Sequence, residues 1–456
     1  MRLRSGWLLP DVALVAAAVT LFYCIFLFQG YRQLFRDSDA GWHIRNGEAI
    51  LATRQLPRVD PYSFTKFGQP WFAWEWAADV AVGAIHRAAG LRGVALFYSV
   101  AIAAGVWMWF RLHWAMGGNF LIACGMAPLL LSTCNIHWLA RPHILGWLLL
   151  LGVVWWCERR GPLWILAVLM FVWANVHASF FLGFLVVAAY GLPTPAVVAL
   201  FTPLLNPYGW RLYDHVWRYL TDSELLARIG EFQSFDFHAD GGQIIATLIL
   251  GIAGGTIALI LRRFPHFVLA MLFSVMALRA ARALPLVALV LLPIANSAIT
   301  AIMPFKRFRL YGERLRILDA RFSGVVLPPL LIFGMYRILP TAGFPPDQFP
   351  VEAYSHLDPN GRLYAPDKFG GYLIYRSNGQ KKVFFDGRSD LFGAEFLKKY
   401  AQMSQIRPNW HAIWDEFHFT QALLPKDAPL IEALKLSGWH AVYQDGTVTI
   451  LDPGGT

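Results

Sequence analysis

A chain of 456 residues that is 57% hydrophobic and only 15% charged, with 19 Trp and 34 Phe, is too apolar for a soluble multidomain protein and too long for one anchored domain. Its formal charge of +10 follows from membrane topology and anionic lipid headgroups rather than from nucleic-acid binding. Without a Walker loop or a GxGxxG phosphate loop, a nucleotide-fed enzyme is disfavoured.

Apolar runs close to the length a helix needs to cross about 30 Å of hydrocarbon recur along the chain. Inside lipid a spanning segment must satisfy its own backbone, so these runs are expected to be helices. In order they are 11 to 28, 93 to 110, 120 to 132, 144 to 156 and 163 to 174, then the short runs 181 to 191 and 196 to 205, then 244 to 261, 267 to 278, 284 to 295 and 325 to 339. The expected architecture is a polytopic α-helical membrane protein of about eleven transmembrane helices. With the N-terminus cytoplasmic, the short-loop basic residues Arg2, Arg4, Arg111, Arg159, Arg160, Arg262 and Arg263 and the cluster "KRFRLYGERLRILDAR" (306 to 321) all fall inside. The loops 29 to 91 and 206 to 243 and the tail then lie outside, dividing the chain into a transmembrane domain, 1 to 340, and an extracytoplasmic α/β domain, 341 to 456. No small-residue cleavage site follows the first run, which therefore reads as an anchor. The four cysteines, Cys24, Cys124, Cys134 and Cys157, lie in or beside apolar runs and provide neither a disulfide framework nor a CxxC metal site.

Polar chemistry concentrates between these runs. In "RDSDAGWHIRNGEAI" (36 to 50), Asp37 and Asp39 can converge on a hard divalent cation, Mg²⁺ or Mn²⁺, or serve to cap the helix "AGWHIRNGEAIL". His43, Arg45 and Glu48 follow, and "LPRVDPYSFTKFGQPWFAWEWAADV" (56 to 80) adds Asp60 and Glu75. Arg141 in "LARPHIL" stands at an outer edge beside His137 and His143. His177 in "WANVHASFFLG" begins an apolar stretch, where an imidazole needs a partner: a bound ligand, or Asn175 across a helix turn. Glu231 in "IGEFQSFDF" can orient an acceptor hydroxyl or pair with Arg228 at the surface. Arg279 and Arg282 in "MALRAARALPL" sit between two runs on the external side, suited to a lipid-linked phosphate or to snorkelling toward headgroups.

In the tail, "GGYLIYR" (370 to 376) and "KKVFFDGR" (381 to 388) read as strands joined by the turn "SNGQ". "AEFLKKYAQM" and "PLIEALKLSG" read as helices, the second stopped by Gly438, and "HAVYQDGTVTILD" as a hairpin turning at Asp445-Gly446. Asp386 and Arg388 form either a structural pair or a substrate contact.

The order Asp39, Trp42, His43, Arg45, then Pro57, Asp60-Pro61-Tyr62, Gly68 and a Trp-rich run resembles the first external loop of GT-C type membrane glycosyltransferases, whose oligosaccharyltransferase members carry a related Asp-Pro-Tyr element. The segments "WANVHASFFLG", "LLNPYGWRLYDHVWRYL" (204 to 220), "IGEFQSFDF" and the tail extend the resemblance over nearly the whole chain. It implies that Asp39 is a metal ligand or catalytic base, with Asp37 as its partner and Glu75 as a further carboxylate. It implies a sugar moved from a polyprenyl-phosphate donor to a hydroxyl-bearing glycan, lipid or protein acceptor at the extracytoplasmic face, Arg279, Arg282, Arg141 and His177 holding the donor phosphate and His43, Arg45, Asp60 and Glu231 the acceptor or its loop. The tail lacks the Trp-Trp-Asp-Tyr-Gly element with which oligosaccharyltransferases recognise a sequon, which disfavours an asparagine-linked acceptor. A transporter or flippase for a lipid-linked substrate, expected to show repeat symmetry and broken spans, and a non-catalytic scaffold are the competing readings.

Overall fold

The computed structural model describes residues 6 to 27, 29 to 238 and 241 to 454; Arg2 and Arg4 lie outside them. Over most of their described residues the eleven apolar runs are helical, some in one helix and some in closely spaced helical pieces. Trp76–Ala115, Gly242–Ile260 and Ala281–Ile302 are long and apolar enough to cross a membrane, and shorter apolar helices such as Val12–Phe26, Phe120–Asn135 and Phe264–Arg279 pack beside them. Trp164, Ile260, Leu330 and Phe333 point outward, between 65% and 73% exposed, a surface suited to hydrocarbon and costly in water. This is a membrane protein.

Local chemistry sets the helix ends. Asp11 accepts the Leu14 N–H at 2.8 Å and Asn119 that of Leu121 at 2.9 Å, each satisfying an orphan donor of the helix it precedes. Small residues set the closest helix approach: a Cβ on Gly254 would lie 2.4 Å from Ala295 Cα. Gly90, at φ 60°, breaks Trp76–Ala115, so the segment read as loop up to residue 91 is already helical from Trp76, and the apolar part begins after the break.

The basic loops meet at one end of the bundle. Arg111 pairs with Asp11, Asp319 accepts the Val12 N–H at 2.7 Å, and Gly312 of the helix Lys306–Asp319 lies against Asn119. Glu75 and Arg111 stand at opposite ends of Trp76–Ala115, and Arg263 and Arg279 at opposite ends of Phe264–Arg279. Helix length therefore carries the candidate site to the far end from the basic loops.

The tail contains strands β1 (Leu363–Tyr364), β2 (Gln421–Pro425), β3 (Trp439–Gln444) and β4 (Val448–Pro453) in the order β1-β2-β4-β3, with β1 parallel to β2 and the other pairs antiparallel. The β3–β4 hairpin turns at Asp445, whose carboxylate accepts the N–H groups of Thr447 and Val448 at 2.7 and 2.8 Å. The two expected helices form as Ser389–Ser404 and Leu430–Leu436. The two expected strands do not. "GGYLIYR" lies in the helix Asp367–Arg376, and "SNGQ" ends that helix, Gly379 donating back to Ile374 O at 2.8 Å. "KKVFFDGR" is an extended loop that meets the first external loop through the isolated β-bridge Ser63↔Val383.

Packing overrides β propensity there. Gly371 lies against Ser38 O and Gly41 against Gly371 O, each 2.2 Å from an added Cβ, while Gly370 lies 2.1 Å by the same measure from Phe385 O. The glycines of an apparent strand are thus the contact surface of a helix on the first-loop helix Asp39–Thr53. As a result Phe344, Phe349, Phe369 and Tyr372 of the tail share one apolar core with Phe35 and Trp42, and Phe384, Phe396, Trp410 and Trp414 form a second core.

Candidate active site

The site begins at the entry to the first-loop helix. Asp37 Oδ1 accepts the Asp39 N–H at 2.9 Å, an Asx turn that sets Asp39 in the first turn of Asp39–Thr53. Arg141 reaches it from the loop before His143–Arg159, a loop tied to the first external segment by Ala140 N–H donating to Leu34 O at 2.8 Å. Its guanidinium forks across three carboxylates: Nη1 lies 2.7 Å from Asp37 and 3.0 Å from Glu231, and Nη2 lies 3.0 Å from Asp39. Arg282 stands 3.9 Å from Glu231 and lies over the Phe232 ring at 4.5 Å. These segments dock through Ala281 N–H, which donates to Gln233 O at 2.8 Å. Three separated pieces of chain thus meet at one guanidinium, and a fourth brings Arg282 to Glu231.

From the tail, Gly387 closes on Asp39: an added Cβ would sit 2.1 Å from Asp39 Oδ1. Its neighbours Asp386 and Arg388 pair with each other. Arg388 is bound by Asp386 at 2.7 Å and by Asp60 at 2.8 Å, all three buried, and its guanidinium lies 4.6 Å over Trp71. Asp60 also accepts the Tyr62 and Ser63 N–H groups at 2.9 and 3.0 Å, which makes it an anchor of the loop.

Burial and charge shape the titrations. Asp39, 5% exposed, is pushed up to about 8 by burial, with Asp37, Asp386 and Glu231 adding to the shift and Arg141 opposing it. Glu75 is pushed up to about 7, again by burial. For Glu231 burial acts in the same sense but is overcome by Arg141 and Arg282, which hold it well below the usual carboxylate range. Two buried carboxyls near neutrality beside one held ionised is the separation of states that acid–base chemistry uses.

Asp39, Arg141, Glu231 and Arg282 line the junction of two cavities. One, of about 350 Å³, runs past Glu75, His177 and Arg279 to Leu150, Leu182 and Leu286 among the bundle helices. The other, of about 840 Å³, opens between the helical body and the tail, past Asp37, Arg228, Tyr400 and Arg407.

Among the remaining residues singled out in the sequence, His177 bonds Ser179 Oγ at 2.7 Å and faces Glu75 at 3.4 Å; Asn175 instead accepts from Trp76 Nε1 at 2.9 Å. Glu231 does not pair with Arg228, which takes Glu224 at 3.1 Å. Arg279 lines the first cavity and enters no ion pair among the described residues. His43 is buried behind the cavity wall against Asp79 at 2.6 Å. Arg45 is turned away, bonding Glu48 at 2.5 Å and Tyr375 O at 2.9 Å, and lines neither cavity. Sequence reasoning missed Gly387 and Asp79; Asp79 carried a signal, a carboxylate in "EWAADV" four residues after Glu75 and so on its helical face.

Asp37 and Asp39 do not present an open pair of oxygens to a divalent ion, since one guanidinium bridges them. No group of three or more His, Cys, Asp or Glu side chains among the described residues is arranged to hold a metal. As arranged, the donor set does not fit Mg²⁺ or Mn²⁺, which require several oxygen ligands around one point.

No protein-family model matches the chain, and no curated protein matches it. Solved structures do. The Archaeoglobus fulgidus oligosaccharyltransferase tethered to an acceptor peptide containing the NVT sequon aligns with 91% of this chain and 68% of its own, at a TM-score of 0.58 and 12% identity. The apo form of that oligosaccharyltransferase aligns with 91% of this chain and 69% of its own, at a TM-score of 0.56 and 12% identity. The chain carries a GT-C-like fold. The alignment spans most of the helical body and the tail together, so the tail-closed site is built on a GT-C-like frame, with Arg141 bridging carboxylates at the loop end of the bundle.

Proposed function

We propose that this GT-C-like protein is a membrane glycosyltransferase that moves a sugar from a polyprenyl-phosphate donor to a hydroxyl-bearing acceptor at the extracytoplasmic face. The observation that carries this reading is the junction at Asp39 and Arg141, where a cavity reaching apolar side chains of the bundle meets one opening under the tail. The first cavity suits a lipid-linked donor and the second an acceptor. Asp39 takes the proton of the acceptor hydroxyl as its oxygen attacks the anomeric carbon. The bond from that carbon to the phosphate oxygen breaks, and the electron pair leaves on the polyprenyl phosphate, giving inversion in a single displacement. Arg282 and Arg279 oppose the charge that develops on the phosphate, and Arg141 orients Asp39 while contributing to the same field. A carboxyl titrating near 8 is matched to a base working near neutral pH.

A divalent cation at Asp37 and Asp39 would require Arg141 to withdraw from both, and no step is routed through one. The reading is tested by lipid analysis of cells lacking the protein. A polyprenyl-phosphate sugar should accumulate, and restoring the wild-type chain but not Asp39→Asn should clear it. An unchanged lipid profile would overturn the reading.

A further inference from the structure

Polar atoms without partners lie at and behind one wall of the first cavity. Trp42 lines that wall, and its Nε1 is buried with no hydrogen-bond acceptor among the described residues; behind it His43 Nε2, on a side chain 1% exposed, has no hydrogen bond either. Glu75 lines the same cavity but is only loosely flanked, by His177 Nε2 at 3.4 Å and His43 Nε2 at 3.7 Å. Buried polar atoms nearly always find partners in folded proteins, and a carboxyl group has about four lone-pair sites to fill.

The groups behind this wall are firmly set. His43 Nδ1 lies 2.6 Å from Asp79 Oδ1, and the other oxygen of Asp79 accepts from Asn46 Nδ2 at 2.7 Å. His177 Nδ1 accepts the Ser179 N–H at 3.2 Å, which assigns its proton to Nε2, the atom facing Glu75. The wall therefore offers an imidazole donor and a carboxyl acceptor that meet only loosely, at 3.4 Å, with the unpartnered Trp42 indole N–H next to them. Trp71, Trp74 and Trp173 line the cavity beside them, giving flat apolar surface next to a few fixed polar points. A ring with apolar faces and a rim of hydroxyls matches both.

We propose that Trp42, Glu75 and His177 recognise the sugar of the donor, Trp42 and His177 donating to its hydroxyl oxygens and Glu75 accepting from its hydroxyl protons, with His43 and Asp79 as positioning residues behind Glu75. The sugar is neutral, because no Arg or Lys among the described residues lies within ion-pair distance of Glu75, so the carboxylate of a uronate seated there would be buried without a cation. This rests on the glycosyl-transfer reading, and the test separates the two. The purified full-length protein in lipid nanodiscs is titrated with bare polyprenyl phosphate and with polyprenyl phosphate carrying glucose, mannose, N-acetylglucosamine or glucuronate. The wild type should bind at least one neutral glycolipid about tenfold or more tighter than the bare lipid, with no such preference for the glucuronate form.

Glu75→Gln replaces a buried carboxyl by a neutral isostere, and Trp42→Phe keeps the ring while removing the donor. Each should abolish the preference while leaving the affinity for bare lipid phosphate unchanged, and His43→Gln should lower the preference with the same unchanged bare-lipid affinity. A preference retained in both Glu75→Gln and Trp42→Phe, absent from the wild type, or directed to the glucuronate form overturns this assignment. Failure of the wild type to bind any of these lipids overturns the donor reading beneath it.

Discussion

At the scale of single residues, the site turns on one guanidinium shared by three carboxylates. Arg141→Ala leaves Asp37, Asp39 and Glu231 facing one another without their common cation, and should cost roughly 3 to 5 kcal/mol of stability, read as a fall in melting temperature in detergent. Arg141→Lys keeps the charge but loses the planar fork, so folding should survive while transfer falls by about 10². Because the guanidinium already bridges Asp37 and Asp39, transfer should persist after chelation of divalent ions; loss on chelation, with recovery on adding Mg²⁺ or Mn²⁺, would mean that Arg141 yields its place. The sign of the pH dependence follows from Asp39. Its folded-state value is raised to about 8, so the competent carboxylate is the minority form at neutral pH, and kcat/KM should climb as pH rises from about 6 and level off above about 8. A profile already flat at pH 6 would contradict the raised value.

At the scale of elements, the glycines that disguised a helix as a strand join the tail to the site. Gly371→Ala would drive a Cβ to 2.2 Å from Ser38 O, a backbone atom that cannot rotate away, and should lower stability by about 1 to 3 kcal/mol. Gly387→Ala meets instead the carboxylate of Asp39, at 2.1 Å, so transfer should fall far more than melting temperature does. Equal losses in both properties would make Gly387 merely a packing residue. Here the limits of sequence reading are physical. The apolar helices and the Asp445-Gly446 hairpin were legible because periodicity and turn chemistry are local. "GGYLIYR" was misread because the same residues suit a strand face and a glycine-lined helix contact, and only the partner helix Asp39–Thr53 decides between them.

At the scale of the whole molecule, a GT-C-like bundle separates a basic end from the end that carries the site. Reporter fusions within 306 to 321 should be cytoplasmic and fusions after Leu339 extracytoplasmic; both on one side would remove the geometry of lipid donor and external acceptor. The identities of Asp39, Arg141, Glu231 and Arg282 as polar residues in the segments between apolar runs could be read from the chain, but not their meeting, since Asp39 and Arg282 lie 243 positions apart (282 minus 39) and only the fold closes that distance. Everything proposed for this meeting point depends on Asp39 acting as a base. The decisive measurement is sugar transfer by the purified protein in lipid, compared for wild type and Asp39→Asn with melting temperatures recorded alongside. Transfer should drop by roughly 10² or more while the variant remains folded; full activity in a folded Asp39→Asn protein would contradict the catalytic assignment.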